Sequence, residues 1–113
     1  MKLSELQNHR VSYQVVVTFD LTGALSSDYG KIRDALSADL ELEKFVYLSS
    51  EDGDGTRDLP YNTLAALWEK DSSELETRTY FEKKLRETFK RLGVKGKYFV
   101  VVAQNWSVGA EAF

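Results

Sequence analysis

One carboxylate stands where a strand should end. In Tyr13-Gln-Val-Val-Val-Thr-Phe-Asp-Leu-Thr-Gly23 a run of strand-forming residues closes on Asp20, and a glycine turn follows. An acid placed there sits at the C-terminal rim of its strand, where α/β proteins tend to hold ligands. The competing role is a turn residue, its carboxylate accepting backbone N–H bonds from Thr22 or Gly23. No other residue offers comparable chemistry. The chain has no phosphate loop and no cysteine, and its one imidazole, His9, lies beside Arg10 in a polar N-terminal arm, where neither a metal cluster nor a Ser-His-Asp arrangement can be assembled.

Charge supplies the second candidate. Lys83, Lys84, Arg86, Lys90, Arg91, Lys95 and Lys97 face a single acid, Glu87, in their stretch, although the whole chain carries a net charge of −3. At 3.6 residues per turn Lys83, Arg86 and Lys90 can share one helix face, which makes them the candidate contacts to a phosphate backbone. The ordinary alternative is a solvated helix back. Asp39 to Asp58 is the acidic counterpart, with Asp39, Glu41, Glu43, Glu51, Asp52, Asp54 and Asp58 against Lys44 and Arg57. Such polarity can steer a partner or let two copies meet acid to base. The loop from Asp52 looks like the opening of a calcium loop, but positions six and twelve hold Arg57 and Thr63 where glycine and glutamate are needed, so it reads as a hairpin tip. Trp68, Trp106 and the tyrosines 13, 47, 61 and 98 could stack on bases; core or dimer packing is the role their strand positions favour.

Elements must position these residues. The 113 residues, 42% hydrophobic and 29% charged, suit one globular domain, residues 11–113, behind an arm of residues 1–10. The arm lacks the continuous apolar stretch of a signal peptide, and nothing approaches the about 20 apolar residues of a membrane span, so a cytoplasmic protein without a membrane partner is expected. The lack of cysteine fits that compartment.

Alternation predicts a first strand from about Val11 to Asp20 and a second from about Leu42 to Ser49. Ser26 or Ser27 can cap a helix that places Ile32, Ala35, Leu36 and Leu40 on one side. The segment from Leu59 to Glu69 fits either period, and is assigned to a strand because the second strand otherwise has no hairpin partner. Ser73-Glu-Leu-Glu76 is a capping box and Gly93 a stop, which bracket a second helix carrying Leu75, Phe81, Leu85, Phe89 and Leu92. A last strand covers about Lys97 to Gln104, and Asn105 to Gly109 can add a short edge strand or turn.

Strand, helix, strand, strand, helix, strand is the ferredoxin-like βαββαβ order, an α+β fold with an antiparallel four-stranded sheet and two helices on one face. The first and last strands are apolar on both sides, so the face without helices needs a cover. A second copy packing sheet to sheet is the simplest one, and a homodimer is expected.

With VVVTFDLTG near the start, LPYNTLAALWE in the middle and GKYFVVVAQNWSVG at the end, the sequence resembles small ferredoxin-like proteins related to the CRISPR-associated endonuclease subunit that pairs with the spacer integrase, to VapD-type toxins, and to uncharacterised SinR-family proteins. The resemblance implies a ferredoxin-like dimer in phage, defence or mobile-element biology. In the nuclease branch the acid ending the first strand is proposed to bind a divalent metal near the dimer axis, a role that would fall on Asp20 as catalytic and metal-binding residue, with Mg²⁺ or Mn²⁺ held by two symmetry-related copies. The leading expectation is a binding or assembly module needing no cofactor, with a protein or nucleic-acid partner. The alternatives are a metal-dependent endoribonuclease or other phosphodiesterase using paired Asp20 carboxylates, and an acidic inhibitor of a nucleic-acid-binding protein.

Overall fold

The computed structural model describes residues 11–47, 56–70 and 72–104. Strand β1 (Val11–Leu21) leads to helix α1 (Ser26–Leu40), the short strands β2 (Phe45–Tyr47) and β3 (Thr56–Asp58), strand β4 (Thr63–Lys70), helix α2 (Glu74–Leu92) and strand β5 (Gly96–Ala103). β1 is central, antiparallel to β4 on one side and β5 on the other. The β2–β3 hairpin joins this sheet beside β4 through a bridge in which Glu43 and Ala65 exchange both backbone hydrogen bonds, at 2.6 and 2.9 Å. Read along the sheet, the order is that of a ferredoxin-like α+β fold, and the segment from Leu59 to Glu69 does supply a strand.

Strand alternation decides what is buried. Tyr13, Val15, Val17 and Phe19 point to one side of β1 and are at most 2% exposed. They form one cluster with Leu64 and Ala66 of β4, Ile32, Leu36 and Leu40 of α1, and Phe81 and Leu85 of α2, so both helices cover the same face. A fully buried Leu or Phe side chain contributes about 1.5–3 kcal/mol through removal from water.

Three local expectations need correction. The second strand starts later than Leu42: among the described residues Phe45–Tyr47 pairs as a strand, and the last residues of the acidic loop, Thr56–Asp58, pair back on it. Residues 48–55 lie outside the described residues, as do the arm 1–10 and the segment 105–113 in which an edge strand was expected. Neither Ser26 nor Ser27 caps α1. The N-cap is Leu25, whose N–H donates to the Asp28 carboxylate at 2.9 Å, half of a capping box supplied from within the helix. The stripe of α2 is also narrower than its sequence spacing suggests, since Leu75 is 61% exposed and Leu92 38%, beyond the sheet's reach at either end of the helix.

The bracketing of α2 is as expected. Ser73 Oγ accepts from Glu76 N–H at 3.0 Å and the Glu76 carboxylate accepts from Ser73 N–H at 3.1 Å. At the other end Gly93 adopts φ 69° and its N–H reaches back to the last carbonyls, a left-handed turn that a side chain would strain.

Candidate functional site

Two places bring together the residues singled out by sequence. The first is the C-terminal rim of β1. Asp20 is exposed there, and its Oδ1 accepts a 2.9 Å bond from the Tyr29 hydroxyl. The same hydroxyl oxygen accepts from the Leu21 N–H at 2.9 Å. Thr22 N–H does not turn back to Asp20; it donates to the Lys95 carbonyl at 2.8 Å. Asp20 is therefore oriented by a helix side chain, not by the turn that follows it. Tyr29 is the residue that sequence reasoning missed. Its ring lies parallel to Phe19, with centroids 5.7 Å apart, and it meets Tyr61 at 6.5 Å; Tyr61 in turn carries the Arg33 guanidinium 5.1 Å over its ring. This aromatic column is what carries the hydroxyl to the strand end.

The rim is closed by β5. Asp20 lies opposite Lys97 and Leu21 opposite Gly96 in the β1–β5 ladder. A Cβ on Gly96 would fall 2.1 Å from the Asp20 carbonyl oxygen, so only glycine lets the two backbones approach this closely. Among the described residues no group of three or more His, Cys, Asp or Glu side chains is placed to share a metal ion. A single carboxylate, one oxygen of which already holds Tyr29 and which faces a lysine across the ladder, does not fit Mg²⁺ or Mn²⁺ within one chain.

The second place is a groove of about 490 Å³ between the last turns of α2 and the start of β5. Arg86 and Lys90 line it from the helix, Lys95 and Lys97 from the turn and strand, and Phe89 and Tyr98 line it as well. Those two rings are nearly parallel, their centroids 6.4 Å apart. The structure thus brings together two of the three sequence candidates, Arg86 and Lys90, while Lys83 does not line the groove. Lys95 and Lys97 complete it, legible in sequence only as members of the basic run. The Tyr98 hydroxyl donates to Glu82 at 2.9 Å. Burial, chiefly, with help from the Glu82 charge, raises the Tyr98 pKa above its ordinary value of 10.0, and a hydrogen bond with Arg86 opposes that rise.

Several other ions of α1 and α2 are paired. Arg91 Nη2 bonds Asp39 at 2.6 Å, and Thr88 donates to the same carboxylate at 2.9 Å. Lys44 holds Asp34 at 2.5 Å and Arg78 lies 3.5 Å from Glu82. Asp39, one of the acids on which an inhibitor reading would draw, is therefore engaged internally, while Asp52 and Asp54 lie outside the described residues.

No family model matches the chain, and neither a curated protein nor a solved structure is significantly similar to it. Among the described residues no helix is long and apolar enough to cross a membrane.

Proposed function

We propose that the chain is a small binding and assembly module that works as a homodimer, two copies packing the bare faces of their sheets together. One observation carries this reading: on the face without helices Phe99 is 63% exposed, Leu67 44% and Val101 39%. They share one face, because Val16 pairs with Val101 and with Ala65, Thr18 with Phe99 and Gln14 with Leu67; Ala65 and Gln14 between them are buried, so the open apolar groups stand on β5 and at Leu67 of β4. The charged positions of this face are Glu69 at one end, Asp20 with Lys97 at the other and Glu43 beside Ala65 on the outer side of β4, which leaves the stretch over β1 and β5 between those ends without charge, as the buried core of a protein interface requires. A twofold arrangement lets the same patch serve on both sides. Light scattering at micromolar concentration is expected to give twice the 12.9 kDa of one chain, and Phe99→Glu to give the monomer mass. A monomeric wild type would overturn the reading.

Cleavage of a phosphodiester remains a proposal that depends on this pairing, because only a second copy can bring a second Asp20 carboxylate. Labelled RNA and DNA incubated with Mg²⁺ or Mn²⁺ test it: cleavage must be lost in Asp20→Ala, and equal cleavage by both proteins ends it. The phage or defence setting rests on the sequence resemblance and is tested by gene neighbourhood.

A further inference from the structure

We propose that the groove between α2 and β5 binds single-stranded nucleic acid, seating one nucleotide with its base on the Phe89 and Tyr98 floor and its phosphates against Arg86, Lys90 and Lys95. Charge argues first. No carboxylate lines the groove, and among the described residues none of its four cations is in an ion pair, whereas Arg91, Arg78 and Lys44 each hold an acid. Like charges gathered without counterions raise the local concentration of anions. Asp20 faces Lys97 across the ladder and offsets part of its charge, which leaves Arg86, Lys90 and Lys95 as the principal contacts.

The floor decides which anion. Leu21, Val94, Phe89 and Tyr98 form an apolar bed with two flat rings between the basic residues. Bases stack on such rings without regard to sequence, while cations at the rim follow the backbone. An acidic peptide would satisfy the lysines but bring no planar group to the bed. The volume lies within the roughly 300–1,000 Å³ of ligand sites, enough for a nucleotide unit. Arg86 and Lys90, one helical turn apart, set a row of charge along one wall. The whole chain carries a net charge of −3 even with the groove's cations included, so its remainder is acidic, which confines a strand to this surface and disfavours nonspecific coating.

The inference does not rest on the pairing of sheet faces, so a monomer that still binds leaves it standing. Fluorescence anisotropy with a labelled ten-nucleotide single strand, RNA and DNA in parallel, is the test. Wild type is expected to bind either one, with affinity falling as salt rises. Lys90→Gln/Lys95→Gln should weaken binding about tenfold or more at low salt and flatten the salt dependence by about 0.7 in log–log slope per lost contact. Lys31→Gln/Lys84→Gln removes the same charge away from the groove and should stay within about twofold, by the short range of screened charge. Circular dichroism establishes that each variant is folded, and single Lys90→Gln and Lys95→Gln replace the double variant if it is not. The proposal is overturned by absence of wild-type binding, or by equal weakening in the two double variants. Complete displacement by equimolar nucleoside triphosphate reassigns the groove to free nucleotides, and displacement by polyglutamate of matched charge reassigns it to acidic peptides; either overturns it.

Discussion

The two faces of one sheet are built from neighbouring residues of the same strands, yet they differ in cover: one is packed under the helices, while the other mixes buried Ala65 and Gln14 with open apolar groups. Val15 and Val17 are fully buried under the helices, and Leu64 beside them likewise, while Phe99 and Leu67 on the reverse side stand open. Hydrophobicity alone therefore does not decide burial here. The strands offer apolar groups in both directions, and the chain's helices can cover only one. What differs is the supply of cover; the covered face is a source of stability, and the bare one is the surface we propose for assembly.

The contrast is sharpest in a pair of phenylalanines. Phe81→Ala opens a hole among fully buried groups and is expected to lower unfolding free energy by about 3–5 kcal/mol in urea titration. Phe99→Ala, measured at protein concentrations too low for self-association, should stay within about 0.5 kcal/mol, the range of ordinary surface changes. Equal losses would mean that Phe99 is packed within the single chain, and the comparison would fail.

A smaller effect belongs to the bracket that holds α2 over the covered face. Ser73→Ala removes the cap hydroxyl and should cost about 0.5–2 kcal/mol. Its pH dependence follows from two groups. Hydrogen bonds from the Ser73 backbone and then its hydroxyl hold the Glu76 carboxyl below its ordinary 4.5, so its contribution is complete above that value and is lost as pH falls through the lower folded value. Tyr13, whose hydroxyl donates to the Ser72 carbonyl at 2.6 Å, is shifted above 10.0 by burial and then by Glu74 and Glu76. Its contribution is complete below 10.0 and is lost as pH rises through the raised value. Thermal melts from pH 2 to 11 should decline at both ends, with the acid limb flattened in Glu76→Gln and the alkaline limb in Tyr13→Phe. Unchanged limbs would separate the bracket from the stability of the covered face.

Much of this architecture could be read from the residues. β1 was legible because valines occupy consecutive positions, and α2 because Ser73, Glu76 and Gly93 each have a local mechanism. β4 fitted two periods, and the strand chosen for it is there for a different reason from the one that chose it: β4 pairs along its length with β1, while the hairpin partner of β2 is β3. The start of α1 was misread because two serines invite capping, although Asp28 reaches back to Leu25 instead. Of the candidate sites, sequence pointed to Asp20 and to Lys83, Arg86 and Lys90, of which Lys83 does not line the groove. It could not show Tyr29 beneath Asp20, since that bond depends on an aromatic column assembled from three elements. Nor could it show that Lys95 folds beside Arg86 and Lys90 and that Lys97 reaches the rim of the same groove, which is decided by the turn at Gly93.

Gly96 ties these places together. Its bare α-carbon lets the start of β5 lie against the end of β1, and so fixes the acid on one side of that seam and the lysines on the other. A methyl group there would wedge the strands apart at the seam, disturbing rim and groove at once. An alanine scan would then credit this position with contacts to whatever ligand was under study, when the lesion is a misaligned hinge between two sites that glycine touches only with its backbone.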